Sequence, residues 1–125
     1  MPKSEGVWVV AACFNEEDVI TRFVERVLAV PGVDQLVLID DGSSDATVER
    51  IRAWLQSHAG SGVTLLELTR NFGKEAAMLA GLDHVNGRCA AAVLIDSDLQ
   101  HPPELIEEMV SQWRAGAEVV TAVRD

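Results

Sequence analysis

A chain of 125 residues is long enough for one domain that buries a core without disulfides or a structural metal. Its hydrophobic content of 48% excludes disorder, and no apolar run approaches the roughly 20 residues that cross a bilayer. With 20 acidic against 10 basic side chains, the net charge of −10 argues against sequence-independent nucleic-acid binding and mildly against wholesale adhesion to an anionic membrane.

VWVVAA, Val7 to Ala12, predicts a first strand, continuous in apolar residues as a strand covered on both faces is. The N-terminus, MPKSEGVWVV, has one lysine and an apolar run too short for a secretory signal. Val19, Ile20, Phe23, Val24, Val27 and Leu28 recur at helical spacing, and Pro31-Gly32 ends that helix. Glu16 and Glu17 would sit in its first turn, where carboxylates oppose the helix dipole. Gln35 to Ile39 predicts a second strand, and Asp45 is placed to cap a helix whose stripe is Val48, Ile51 and Leu55. Gly60 and Gly62 break that helix before a third strand, Val63 to Leu68. A third helix runs from about Lys74 to Val85 and stops at Asn86-Gly87. Ala90 to Ile95 is the fourth strand, and Pro103 suits the first turn of a helix carrying Leu105, Ile106, Met109, Val110 and Trp113. Gly116 closes it, and Glu118 to Val123 begins a fifth strand. Strands alternating with amphipathic helices imply an α/β fold with a mostly parallel sheet. Cys13 and Cys89 fall in separate strand regions without metal-ligand spacing, which suits reduced core thiols of a cytosolic protein better than reagents.

In open α/β sheets, ligands bind beyond the carboxyl ends of the strands. Here all four complete strands end in unusual residues: Cys13-Phe14-Asn15-Glu16-Glu17, Asp40-Asp41-Gly42-Ser43-Ser44-Asp45, Arg70-Asn71-Phe72-Gly73-Lys74 and Asp96-Ser97-Asp98-Leu99-Gln100. Plainer accounts exist for several. Asp41-Gly42 is good turn chemistry, with Gly42 taking a positive φ, and Asp45 serves as a cap. His58 and His84 suit exposed helix positions, while His101 stays open beside the acidic loop. Lys74 is harder, because the first turn of a helix is a poor place for a cation unless an anion is present. Asp96 and Asp98 resist a plain account best. Two like charges so close drive one pKa upward unless a cation neutralises them. Hard oxygen ligands followed by the Gln100 amide suit Mg2+ or Mn2+.

With those residues in view, the chain resembles the N-terminal part of an inverting glycosyltransferase of family two, with the GT-A fold. The resemblance is nearest to polyprenyl-phosphate sugar transferases of the dolichyl-phosphate mannosyltransferase type. The motifs that carry it are CFNEE, LIDDGSSDAT, RNFGKEAAMLAGLDHV, and IDSDLQHPPELIEEM followed by GAEVVTAVR, spanning Val7 to Arg124. It implies a Rossmann-like sheet with flanking helices and one nucleotide-sugar-binding unit over residues 1–125, the first part of a longer catalytic domain. It also implies site residues. Ala12, Phe14, Glu16, Asp40 and Asp41 would hold the nucleobase and ribose, with Gly73 and Lys74 beside the nucleotide. Asp96 and Asp98 would be the catalytic carboxylates, Asp96 approaching the ribose or metal. Asp98 with Gln100 would ligate the Mg2+ or Mn2+, and Arg124 would lie near the phosphates. Family members usually carry Pro at the Ala12 position and often Tyr at the Phe14 position, so these two departures bear on nucleotide preference.

The activity the resemblance implies is attack by a polyprenyl phosphate oxygen on the anomeric carbon of a UDP- or GDP-sugar, with inversion, in cell-envelope glycan synthesis. The expected setting is the cytoplasm, at the cytoplasmic face of the membrane in a longer form. Membrane association would come through segments absent from this chain, a homo-oligomer is compatible, and no nucleic acid is a partner. A saccharide hydroxyl is the alternative acceptor and would need a general base. Nucleotide binding without turnover is a further alternative. Other classes fit less well. A phosphatase-like D-x-D follows a first strand, whereas Asp96 follows the fourth. A phospho-accepting receiver needs an Asp after strand three, where this chain has Leu68-Thr69-Arg70. A dinucleotide-binding oxidoreductase needs a Gly-rich loop where Asn15-Glu16-Glu17 stands.

Overall fold

The computed structural model describes residues 6–89, 91–97 and 105–114. Strands and helices alternate along the chain: β1 (Val7–Cys13), α1 (Ile20–Leu28), β2 (Val33–Asp40), α2 (Thr47–Ser57), β3 (Val63–Glu67), α3 (Lys74–Val85), β4 (Ala91–Leu94) and α4 (Leu105–Arg114). All three strand pairings are parallel and the order across the sheet is β3-β2-β1-β4. The chain thus builds outward from β1 to β3, then returns to lay β4 on the other side of β1. That reversal puts a crevice at the carboxyl end of β1, between the loops after β1 and β4.

The period of two in β1 and β2 divides the core. Val9, Ala11, Cys13, Leu36 and Leu38 pack with Ile20, Phe23, Val24 and Val27 of α1, Ile51 and Trp54 of α2, and Ile106, Met109 and Val110 of α4. Val10, Val37 and Ile39 face the other way, onto Ala77 and Val85 of α3. Both faces of these strands are therefore covered, as their unbroken apolar runs predict. α3 packs on the sheet through Gly81. A Cβ there would stand 2.5 Å from both Ile39 Cδ1 and Val10 Cγ1, so a larger residue would force those side chains to shift. Among the described residues, no helix is long and apolar enough to cross a membrane.

The observed elements follow the predicted order, with local differences. β2 begins at Val33, two residues before the expected Gln35, and β3 ends at Glu67. α1 begins only at Ile20, so Glu16 and Glu17 are not in its first turn. The Glu16 carbonyl accepts from the N–H groups of Val19 and Ile20, closing a tight turn ahead of the helix. The N-cap of α2 is Ala46, and Asp45 stands one residue earlier, where its carboxylate still accepts the Thr47 N–H at 2.9 Å. Pro103, Gly116 and the fifth strand expected at 118–123 lie outside the described residues.

Candidate nucleotide-sugar site

The loops after β1 and β2 are laced together by short polar side chains. Asn15 adopts φ 52°, and its Oδ1 accepts from the N–H groups of Ser44 at 2.8 Å and Asp45 at 3.3 Å. Ser43 Oγ accepts the Asn15 N–H at 2.9 Å, and Thr47 Oγ1 accepts the Glu16 N–H at 2.9 Å. Glu17 bonds in both directions, its N–H to Asp45 Oδ2 and its Oε2 from the Ala46 N–H. Thr47 is buried and also donates its hydroxyl to Asp45 Oδ1. Desolvation would raise the Asp45 pKa; the hydrogen bonds from Thr47, with the Glu17 N–H, outweigh it and hold the carboxyl below its ordinary value.

Asp40 and Asp41 are both only 3% exposed, and each carboxylate is tied to backbone N–H groups. Asp40 Oδ2 accepts from Gly42 N–H and Ser43 N–H, and Oδ1 from the Ser43 hydroxyl at 2.6 Å. Asp41 reaches across to the loop after β3. Its oxygens accept the Phe72 N–H at 2.8 Å, the Gly73 N–H at 3.1 Å and the Asn71 amide at 3.1 Å. Gly42, at φ 77°, lets the two loops touch, since a Cβ there would lie 2.4 Å from the Arg70 carbonyl carbon. The loop so clamped opens α3, and Lys74 is the first residue of that helix. Burial, then the Asp40 charge, pushes the neighbouring Cys13 thiol far above its usual range. Cys13 is therefore an inert core thiol, as its setting in the sequence predicts.

Lys74 forms an ion pair with Asp96, the second residue past β4. The Asp96 side chain is 13% exposed and that of Lys74 59%. Ser97, buried, donates its hydroxyl to the Ala12 carbonyl at 3.0 Å and ties the β4 loop to the end of β1. Between these loops lies an open cavity of about 240 Å³. Among the described residues it is lined by Ala12, Cys13, Phe14, Glu16, Asp41, Lys74, Asp96 and Ser97.

The structure thus brings Ala12, Phe14, Glu16, Asp41, Lys74 and Asp96, all singled out from the sequence, around one cavity. Asp40 and Gly73 stand beside it without lining it. Asp98, Gln100, His101 and Arg124 lie outside the described residues. Ser97 and Asn71 were not expected to take part. For Ser97 the signal was a small hydroxyl between two acids at a strand end; Asn71 carries none, because its partner Asp41 is 30 residues away. Three carboxylates against one ammonium make the cavity acidic, so a diphosphate entering alone would be repelled. Among the described residues, no three His, Cys, Asp or Glu side chains cluster to hold a metal. The donors that are present, carboxylate oxygens in a crevice, are of the hard type that Mg2+ and Mn2+ take, so the residues fit such an ion.

A family model described as glycosyl transferase family 2 matches residues 8–125. The chain belongs to that family. The bactoprenol glucosyl transferase of Shigella phage SfV is 43% identical over 120 residues, covering 93% of this chain and 38% of its own length. A mannosyltransferase from Pyrobaculum calidifontis, solved with GDP-Man and Mn2+, superimposes with a TM-score of 0.65 at 26% identity, over 76% of this chain and 28% of the other. The glucosyl-3-phosphoglycerate synthase of Mycobacterium tuberculosis with UDP gives 0.66 at 27% identity, over 90% and 41%. These likenesses identify the α/β architecture as the GT-A glycosyltransferase fold. The chain spans little more than a third of the length of the curated relatives it matches.

Proposed function

We propose that residues 1–125 form one donor-binding unit of a glycosyltransferase that moves a sugar from a UDP- or GDP-sugar to a polyprenyl phosphate, with inversion at the anomeric carbon. The observation that carries this reading is the cavity at the β1/β4 reversal, where Phe14, Glu16, Lys74 and Asp96 meet in a chain of this family. Phe14 is 42% exposed and offers a ring face on which a nucleobase can stack. Glu16 and the Ala12 backbone border the same space for the base and ribose, with Asp41 behind them. Asp40 supports the site from within its turn. Lys74 projects from the α3 N-terminus toward the place a diphosphate would occupy, and Gly73 precedes it at φ 103°, a backbone setting that favours glycine. Asp96, Asp98 and Gln100 would hold Mg2+ or Mn2+, which supplies Lewis-acid charge to a leaving diphosphate. Arg124 is assigned to the phosphates.

A polyprenyl phosphate oxygen is already ionised near neutral pH, so the site needs no dedicated general base for that acceptor. The name of the Shigella phage relative, a bactoprenol glucosyl transferase, supports a polyprenyl acceptor. The solved relatives with GDP-Man and with UDP support a nucleotide-sugar donor. Calorimetric titration of UDP- and GDP-sugars with Mn2+ or Mg2+ tests the donor assignment. Metal-dependent binding is expected, weakened at least tenfold, or ~1.4 kcal/mol, by Asp98→Ala. Binding indifferent to both EDTA and that substitution would sink the metal assignment. Transfer to a saccharide hydroxyl but not to a polyprenyl phosphate would overturn the acceptor.

A further inference from the structure

Lys74 is in an odd position for a resident cation. It begins a helix, where the exposed N–H groups disfavour positive charge, and more than half of its side chain is in solvent. What holds its ammonium in the crevice is Asp96. Asp96, in turn, is largely buried in a wall that also carries Glu16 and Asp41, so its charge needs a nearby cation. Glu17, Asp40, Asp41 and Asp45 of these loops are held by backbone N–H groups that cannot leave. Asp96 is paired with an ammonium on a flexible four-carbon stem, which can leave.

We propose that Lys74 is an exchangeable counter-cation. In the ligand-free protein it neutralises Asp96; on donor binding its ammonium passes to the diphosphate, and a divalent ion takes its place on Asp96. This rests on the donor-site reading above and adds an order to it. A divalent ion arriving alone must compete with Lys74 for Asp96. A nucleoside diphosphate gives Lys74 another anion to pair with, so it releases Asp96 to the ion. Ion and nucleotide therefore each tighten the other's binding, by equal factors, because such coupling is reciprocal.

Calorimetry with Mn2+ alone, with UDP or GDP alone, and with both separates the parts. In Lys74→Met the charge is gone while a good helix former of similar length remains at an exposed position. This variant is expected to bind Mn2+ alone at least threefold more tightly than the unaltered chain. It is also expected to bind the nucleotide with Mn2+ at least tenfold more weakly, with the coupling between the two reduced. Lys74→Arg should retain the coupling, and Lys74→Gln should reproduce the Met result if Lys74→Met does not fold. If Mn2+ alone binds Lys74→Met no more tightly, while the unaltered chain still binds nucleotide with Mn2+, the exchange is overturned and the donor site stands. If the unaltered chain binds neither UDP nor GDP with Mn2+, both are overturned.

Discussion

The loops after β2 and β4 look alike in sequence, Ile-Asp-Asp-Gly and Ile-Asp-Ser-Asp, and the structure uses Asp40 and Asp41 of the first and Asp96 of the second in opposite ways. Asp40 and Asp41 end in a cage of fixed donors, most of them backbone N–H groups, and are almost fully buried. Asp96 faces a cavity and is met by the tip of a mobile type of side chain. An acid held by backbone is part of the scaffold, whereas an acid held by an exposed ammonium can change partner. The kind of donor, more than the acidity of the loop, separates framework from ligand-handling residues.

The strongest way to break that contrast is to remove the clamp. Asp41→Ala leaves the Phe72 and Gly73 N–H groups without their acceptor and the Asn71 amide with only the residue 41 carbonyl, at a cost of about 3 kcal/mol. Urea unfolding should show the lowered midpoint, and loss of nucleotide binding should accompany it because α3 then starts from a loosened loop. A smaller effect is expected at the point where the two loops touch. Gly42→Ala forces a side chain into a positive φ and against the Arg70 backbone, destabilising by about 2 kcal/mol in the same measurement. By contrast, Asp96→Asn should change stability by less than about 1 kcal/mol, since its partner Lys74 is exposed. An Asp96→Asn chain as unstable as Asp41→Ala would erase the distinction between the two loops.

The smallest effect concerns pH. The Asp45 carboxyl titrates below its ordinary 3.8 in the folded chain. Its contribution to stability is therefore complete above that value and lost as pH falls through the lowered folded value. Asp45→Asn should destabilise the chain at neutral pH and flatten the acid limb of its stability curve below about pH 4, as read from thermal unfolding at stepped pH. An acid limb unchanged by the substitution would remove Asp45 from the account.

Much of the fold was legible because apolar runs and helical stripes report burial directly. Val7 to Ala12 and Gln35 to Ile39 lacked alternation, and both proved to be covered on two faces. The cavity's wall was legible too, because polar residues at strand ends collect on one edge of a parallel sheet. What the chain order hid was pairing across it. Nothing near Asp41 says that its donors are the Phe72 and Gly73 N–H groups, 31 and 32 residues on. Glu16 and Glu17 followed the pattern of a helix's first turn, yet hydrogen bonds to Thr47, Asp45 and Ala46 hold them in a loop ahead of it. Tertiary partners decided both cases, and local propensity carries no record of them.

The bond from Ser97 to the Ala12 carbonyl has one more consequence. It joins residues 85 apart in the chain, across the last strand among the described residues. The cavity's two walls therefore meet only after the long connection from β1 to β4 has closed, and contacts of such separation form slowly. Closure of the crevice then follows the pairing of β1 with β2 and of β2 with β3. A nucleotide that bridges the walls would act as a clasp on the finished sheet, slowing its opening more than it speeds its formation.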